Sequence, residues 1–273
     1  MNANGPYLTE LRKGQCREAA RGILRNFHVQ TPEAIELETI AWHLGRLTIK
    51  EGGLDGAEGR IVASSGHGGT NTIRVAPKKN EGRYRFTIAH EIGHYVLHPR
   101  DNLDKTDNRE HFTVWNEAGE EAEANIFAAE LLMPEFLFKP QCRGKTPSLK
   151  LVDDLAATFH TSTLATVIQY WKYTNEPVSV VLSKGWNMKS FCPFEGGWPR
   201  IRYGRIHDHS AAGERLAGKA ADPEKMVRTP AYAWLEGFEN DTRHDIMEDS
   251  RYLDWYDRTI SLLWLKFDLE DGD

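Results

Sequence analysis

Two histidines and a glutamate at fixed spacing are the residues of this chain best suited to chemistry. His90, Glu91 and His94 lie in the run RFTIAHEIGH and form an HExxH pattern. Because an α-helix turns about 100° per residue, histidines four positions apart are offset by about 40° and can bind one metal ion from the same face. Glu91 projects about 100° away from His90, where it can reach a water on the metal without binding the metal. The pattern is typical of zinc-dependent peptidases.

A short, largely buried helix is predicted around this motif. Thr87 is a suitable N-cap, and Pro99 is expected to end the helix just after His98. An apolar face between them is formed by Ile88, Ala89, Ile92, Val96 and Leu97. Three histidines on successive turns of a straight helix span about 12 Å, which one ion with bonds of about 2 Å cannot bridge. We therefore interpret His98 as a helix C-terminal residue favoured by the dipole, and not as a third ligand after His94.

A third protein ligand is expected on a second helix, because catalytic zinc usually keeps three protein ligands and one water. The stretch from Glu117 to Pro134 is acidic at its start, apolar at its end and rich in helix-forming residues. Glu121 and Asn125 share a face of this helix, so Glu121 can bind the metal while Asn125 orients a histidine. The neighbouring acids Glu120 and Glu123 are the alternatives for the ligand, or solvated residues of the first turn.

Zn²⁺, one ion per chain, is the expected cofactor of this site. Two histidines and one carboxylate also suit other divalent ions, and Mn²⁺ is the alternative. Glu91 is expected to act as the general base that takes a proton from water. A donor to the oxyanion is also expected, and the sequence leaves four side chains open for this role, namely Tyr95, His111, Tyr170 and Tyr173.

Two segments of the chain resemble the paired signatures of the ImmA/IrrE family of metallo-endopeptidases. The first is RFTIAHEIGH at residues 85–94, and the second is EAEANIFAAELLMP at residues 121–134. Both motifs, their order and their separation match, which is more specific than HExxH alone. The resemblance covers roughly residues 30–175 well and the C-terminal part loosely.

This resemblance implies an activity and a set of site residues. In the family, two histidines matching His90 and His94 and a glutamate matching Glu121 bind the metal, and a glutamate matching Glu91 acts as the base. The implied protein is an intracellular peptidase of a bacterium or a mobile element. Its implied substrate is a helix-turn-helix repressor.

The order of predicted elements indicates an α+β fold. Residues 1–175 are expected to form a zincin-like metallopeptidase domain, in which helices and a small mixed sheet support the HExxH helix. Its first elements are helices at 6–26 and 32–44 and strands at 47–50, 59–63 and 72–76. Since the last of these strands leads into the HExxH helix, we expect an extended substrate to pair with its free edge.

Residues 176–273 are predicted to form a smaller α/β domain. Strong strand patterns occupy 178–182 and 259–265, and a weaker one occupies 232–238. A peptide cleft reads few residues, so this domain is expected to be a docking or sensing surface that adds selectivity.

The helix pair predicted at 148–173 carries the main competing hypothesis, because it has the spacing of a helix-turn-helix. Its second helix offers only Gln169 and Lys172 for contacts with DNA, while Asp153 and Asp154 have the wrong charge for a phosphate backbone. Packing or protein docking is therefore favoured over DNA recognition.

The composition limits the partners and the compartment. The chain has 273 residues and a formal net charge of −6, and without a dense basic stripe it is not expected to bind nucleic acid strongly. No stretch approaches the ~20 apolar residues of a membrane helix, and the first 27 residues lack the apolar region of a signal peptide. The three scattered cysteines, Cys16, Cys142 and Cys192, indicate reduced thiols. A cytoplasmic location is expected.

The sequence therefore favours an intracellular zinc-dependent endopeptidase that cleaves a transcriptional repressor in a stress or mobile-element response. Two alternatives stay open. One is a DNA-binding regulator that uses residues 148–173, and the other is a metal-binding scaffold without turnover.

Overall fold

The computed structural model describes residues 8–54, 58–62, 70–77, 80–98, 119–219 and 225–266. Its helices are α1 (Glu10–Asn26), α2 (Leu37–Gly45), α3 (Glu81–Leu97), α4 (Gly119–Leu132), α5 (Glu135–Cys142), α6 (Leu149–Phe159), α7 (Thr163–Tyr173) and α8 (Ala211–Leu216). Its strands are β1 (Thr48–Glu51), β2 (Gly59–Val62), β3 (Thr72–Val75), β4 (Val178–Lys184), β5 (Asn187–Cys192), β6 (Val227–Pro230), β7 (Asp245–Leu253) and β8 (Arg258–Trp264). This mixture confirms the predicted α+β class. Within the described ranges, no helix combines the length and apolar character needed to cross a membrane.

The chain divides into two compact units. The first comprises Met1–Gln141 and Leu155–Thr166, and the second comprises Cys142–Asp154 and Val167–Asp273. The backbone therefore passes between the units three times, at the end of α5, inside α6 and inside α7. The domain boundary predicted between residues 175 and 176 stays a prediction.

The first unit contains a three-stranded mixed sheet with the order β1-β3-β2. Strand β1 pairs parallel to β3, and β2 pairs antiparallel to it, so that Ile73 lies between Ile49 and Ile61. The expectation that β3 has a free edge is wrong, because β1 and β2 occupy its two sides. The prediction failed because local sequence patterns do not show which strands become neighbours. The edge strand that lies against the motif helix is β2.

Helix α3 carries the HExxH motif and begins earlier than predicted. Its N-cap is Asn80, whose Oδ1 accepts a hydrogen bond from the backbone N–H of Arg83 at 3.0 Å. Thr87, the predicted N-cap, lies inside the helix, where its hydroxyl donates to the carbonyl of Arg83 at 3.1 Å. Asn is as good a cap as Thr, and the helix therefore starts at the first cap whose following residues tolerate helical geometry.

Helices α3 and α4 pack closely at the level of the motif. A Cβ atom built on Gly93 of α3 would lie 3.2 Å from the backbone of Ala124 and 3.0 Å from the Phe127 ring in α4. Because only small residues allow such an approach, Gly93 and Ala124 set the distance between the two helices that carry the candidate ligands.

Two arginine–glutamate pairs join helix α1 to α4. Arg12 Nε donates to Glu123 Oε1 at 2.8 Å, and Arg21 Nε donates to Glu130 Oε1 at 2.7 Å. Glu123 and Glu130 are two turns apart on α4 and therefore share a face. Glu130 is fully buried, with 0% exposure, so its charge depends on Arg21 and on its other hydrogen bonds.

The second unit contains a five-stranded antiparallel sheet with the order β5-β4-β8-β7-β6. The strong strand pattern at 178–182 is confirmed as part of β4, and the pattern at 259–265 is confirmed up to residue 264, where β8 ends. The weaker pattern at 232–238 is wrong as a strand: residues Ala231–Ala233 form a 3₁₀ turn, and Leu235 makes a single bridge to Ile201. The aromatic content that suggested a strand serves the core instead, where Trp234 is buried.

A buried carboxylate organises one end of this sheet. Glu248 on β7 has 0% exposure. Its two oxygens accept hydrogen bonds from the backbone N–H groups of Ala211 and Ala212, the hydroxyls of Thr229 and Ser250, and the indole N–H of Trp234. Five donors can satisfy a carboxylate without a cation, so Glu248 ties α8 and β6 to β7 as a structural residue.

Candidate metal centre

His90 and His94 face the same point from helix α3, and Glu121 reaches that point from helix α4. The Nε2 atoms of the two histidines are 2.9 Å apart. Glu121 Oε2 lies 3.2 Å from His90 Nε2, and Glu121 Oε1 lies 3.4 Å from His94 Nε2. Each residue thus offers one ligand atom, and these atoms all lie within 4.8 Å of one another. Among the described residues, no other set of three His, Cys, Asp or Glu side chains converges in this way.

The ring of His90 is oriented by Asn125. His90 Nδ1 lies 2.9 Å from Asn125 Oδ1. An amide oxygen only accepts hydrogen bonds, so Nδ1 carries the proton and donates it. In the neutral ring the lone pair therefore belongs to Nε2, the atom that faces His94 and Glu121. His90 is fully buried, at 0% exposure, which restricts the ring to this orientation.

The ring of His94 is oriented by a second histidine. His94 Nδ1 lies 2.9 Å from His98 Nδ1, and His98 Nε2 lies 3.1 Å from Glu123 Oε2. A carboxylate only accepts, so His98 donates from Nε2. Burial lowers the pKa of His98 below its ordinary value, which favours the neutral ring with an accepting Nδ1. His94 then donates from Nδ1, and its lone pair also belongs to Nε2.

These contacts give a donor set that fits a divalent metal. Two nitrogen lone pairs and a carboxylate oxygen point toward one another at short distance. Such groups repel one another unless a cation or a proton lies between them. Two histidines and one carboxylate are common ligands of catalytic Zn²⁺, and the same set also accommodates ions such as Mn²⁺.

Glu91 lies beside this group without joining it. The residue is 3% exposed. A Cβ atom built on Gly59, the first residue of β2, would be 2.7 Å from Glu91 Oε1, so the side chain lies directly against the backbone of that strand. An ion pair between Glu58 and Arg83 fixes the start of β2 to helix α3, with Arg83 Nε donating to Glu58 Oε2 at 2.6 Å. Glu91 therefore lies between the motif helix and an edge strand.

The alternatives weighed from the sequence separate in the structure. Glu123 does not point at the two motif histidines, because its carboxylate receives hydrogen bonds from Arg12 and His98. Glu120 is also outside the converging group. Of the candidate oxyanion donors, Tyr95 packs its hydroxyl on Gly45 of α2, where an added Cβ would lie 2.0 Å away. Tyr170 and Tyr173 belong to the second unit, and His111 lies outside the described residues.

Sequence reasoning missed two residues of this centre. His98 was expected only to end the helix, and the structure instead places it in contact with His94. Its spacing of four residues from His94 is the signal that could have revealed this contact. Arg12 contacts Glu123 across 111 residues of sequence, and no local pattern announces such a pair.

Comparison with known proteins connects this geometry to a family. Residues 48–169 match the family model of a peptidase family described as IrrE N-terminal-like domain. The matched range contains both motif histidines, Glu91 and Glu121, together with the three-stranded sheet.

Two individual proteins are also similar to the chain. One is an uncharacterized immunity region protein 2 of Bacillus phage phi105, which is 41% identical over 65 residues. That match covers 24% of this chain and spans only 39% of the relative. The other is a solved structure of a Mycobacterium tuberculosis transcriptional regulator, with a TM-score of 0.54 and 17% identity over 96% of this chain and 94% of that one. At this level of identity the second likeness concerns the fold alone.

Proposed function

We propose, from the membership of residues 48–169 in the IrrE N-terminal-like family of peptidases, that this chain is a metal-dependent endopeptidase with one Zn²⁺ ion. The convergence of His90 Nε2, His94 Nε2 and the Glu121 carboxylate is the observation that carries the proposal. A divalent ion held there supplies Lewis acidity, which polarises a scissile carbonyl and lowers the pKa of water.

Glu91 is proposed as the general base. Its carboxylate follows a ligand directly in the sequence of α3 and belongs to a different side of the helix from the ligand pair. Glu91 accepts the proton of the attacking water and returns it to the leaving amine as the peptide bond breaks. Glu91 is buried, so bulk water has little access to its carboxylate. The attacking water therefore meets little competition for the base.

The substrate is proposed to bind as an extended strand along β2. This strand is an edge of the small sheet in the described part of the chain, and its Gly59 touches Glu91. A peptide that pairs with β2 through backbone hydrogen bonds is held independently of its side chains. Its backbone then runs next to Glu91, the proposed base. Gly59 has no side chain to obstruct that passage.

The protein substrate is proposed to be a helix-turn-helix transcriptional repressor, cleaved in the cytoplasm during a stress or mobile-element response. The phage relative is named for an immunity region, which supports a role connected with a mobile element. The three cysteines, all of them in described segments, are buried thiols outside disulfides, as expected for a reducing compartment.

A DNA-binding function through the helix pair is disfavoured by burial. Helix α7 is described throughout, and each of its residues is buried or half-buried. Gln169, one of the two side chains that could contact a base, is only 2% exposed. A recognition helix must present its side chains to the major groove, and α7 does not.

The decisive experiment combines metal analysis with cleavage. The purified protein should bind one divalent ion and should cleave a candidate repressor encoded near its gene when the two are mixed. Glu91→Gln should keep the metal and lose about 10²–10⁴-fold in cleavage rate, because general acid–base catalysis contributes that much. Glu81→Gln, in the exposed first turn of the same helix, is the matched control and should cleave normally. Wild-type cleavage rates in Glu91→Gln would overturn the mechanism.

A further inference from the structure

A line of hydrogen bonds leads from the second motif histidine to the N-terminal helix. His94 Nδ1 contacts His98 Nδ1 at 2.9 Å, and His98 Nε2 contacts Glu123 Oε2 at 3.1 Å. The same carboxylate receives Arg12 Nε at 2.8 Å and a second bond from the Arg12 guanidinium. The line thus joins the end of α3, the first turns of α4 and the start of α1.

Every group in this line has a single consistent role. Arg12 is always a donor, and an ionised Glu123 is always an acceptor. The Arg12 guanidinium donates to both oxygens of Glu123, which is the pairing of an ionised carboxylate with a cation. His98 must then donate from Nε2 and accept at Nδ1. The only role left for His94 Nδ1 is to donate, which leaves its Nε2 as the metal-facing lone pair.

We propose that His98, Glu123 and Arg12 are positioning residues that hold the second histidine of the metal site in its binding tautomer and ring orientation. This inference rests on the proposed function, because it assigns a role to these residues toward the same metal. A ligand histidine that donates its other nitrogen to a carboxylate is held in this way at many metal sites. Here a second imidazole is inserted between the ligand and the carboxylate, which extends the reach to a different helix.

The two ligand histidines are oriented through different elements. His90 Nδ1 contacts Asn125, which lies in the same helix as Glu121. His94 depends on three successive contacts that end at Arg12, in a helix outside the matched residues 48–169. Docking of α1 consequently becomes a condition for full metal affinity, although α1 supplies no ligand.

A second arginine–glutamate pair offers an internal control. Arg21 and Glu130 also join α1 to α4, with a contact of 2.7 Å, but neither residue is in contact with His98 among the described hydrogen bonds. Glu130 is more deeply buried than Glu123, so loss of Arg21 should destabilise the fold at least as much as loss of Arg12. If replacing Arg12 weakens metal binding and replacing Arg21 does not, a general loosening of α1 is excluded as the cause.

The experiment measures Zn²⁺ affinity by competition with a chromophoric chelator and the visible absorption of the Co²⁺-substituted protein, with unfolding curves recorded in parallel. His98→Phe keeps a ring of similar size without either hydrogen bond, and it should weaken Zn²⁺ binding by about 10–100-fold. Arg12→Ala should weaken it in the same direction by less, and Arg21→Ala should leave it unchanged. His98→Gln retains one acceptor and one donor and should recover part of the affinity. The Co²⁺ spectrum should change in His98→Phe because the His94 ring reorients.

Each outcome points to one conclusion. A wild-type protein that binds no metal would overturn the proposed function itself. A wild-type protein that binds metal, with His98→Phe and Arg12→Ala binding equally well, would overturn only the positioning role. Equal losses in Arg12→Ala and Arg21→Ala would also overturn it, since both would then report the packing of α1. Should His98→Phe fail to fold, the comparison of Arg12→Ala with Arg21→Ala decides alone.

Discussion

The carboxylate of Glu91 lies against the backbone of Gly59, so closely that a Cβ atom at residue 59 would be 2.7 Å from Glu91 Oε1 and 3.2 Å from its Cγ. Gly59→Ala should therefore move the proposed base while leaving the three candidate ligands in place. A displacement of about 1 Å at a catalytic group can cost about 10²-fold in rate, and we expect a loss of that order in cleavage at unchanged metal content.

Gly52→Ala is the matched control for this substitution. It lies in the same part of the chain, just after β1, and an added Cβ would meet nothing within 4 Å. Peptide cleavage by both variants and metal content by atomic absorption provide the readouts. A Gly59→Ala enzyme as active as the Gly52→Ala enzyme would show that the contact with β2 does not position Glu91.

Substitutions on α4 should separate a ligand from a residue that orients one. Glu121→Ala removes a proposed ligand and should abolish metal binding at micromolar concentrations. Asn125→Ala removes only the acceptor for His90 Nδ1 and should weaken binding by about 10–100-fold. Asn125→Asp retains an accepting oxygen and should preserve most of the affinity.

Glu120→Ala serves as the neighbouring control in the same turn. It carries the same charge as Glu121 but does not belong to the converging group, so its removal should leave the metal in place. Equilibrium dialysis against Zn²⁺ would measure all four variants. Loss of metal from Glu120→Ala, together with retention in Glu121→Ala, would contradict the proposed ligand set.

Stability at alkaline pH should depend on Cys142. Burial raises the pKa of this thiol to about 11, and the residue is 3% exposed. An unfolded thiol ionises at about pH 8.5, so the folded state holds the proton more tightly. The stabilisation from the buried neutral thiol is complete below about pH 8.5 and is lost, by about 1.4 kcal/mol per pH unit, as the pH rises toward the folded pKa.

Cys142→Ala removes this titration. The free energy of unfolding of the wild type minus that of the variant should be constant at neutral pH and should fall steadily above about pH 8.5. Denaturant unfolding across the pH series measures the difference, in which the other titrating groups cancel. A difference that does not change with pH would show that the thiol does not titrate as its burial implies.

The candidate ligands could be predicted from sequence because they obey helical periodicity. The spacing of His90 from His94 and of Glu121 from Asn125 fixes which side chains share a face, whatever the rest of the fold does. The strands at 178–182 and 259–265 were equally accessible, since runs of β-branched and aliphatic residues bury both faces of a central strand.

Other features depended on choices that local patterns leave open. Asn80 and Thr87 are both competent caps, and the helix selects the earlier one. The central place of β3 follows from how two chain segments meet in space, which the strand sequences do not encode individually. The contact of Arg12 with Glu123 joins helices 111 residues apart, so neither periodicity nor motif spacing could suggest it.

The 111 residues between Arg12 and Glu123 also determine when their contact can form during synthesis. Synthesis delivers α1, the small sheet and the HExxH helix before Glu121, Glu123 and Glu130 exist in the chain. Both histidines are then present without their carboxylate partner, and both arginines of α1 without theirs. Since α4 is made after α1 and α3 and packs against both, a nascent chain whose α4 is still inside the ribosome lacks the proposed metal site.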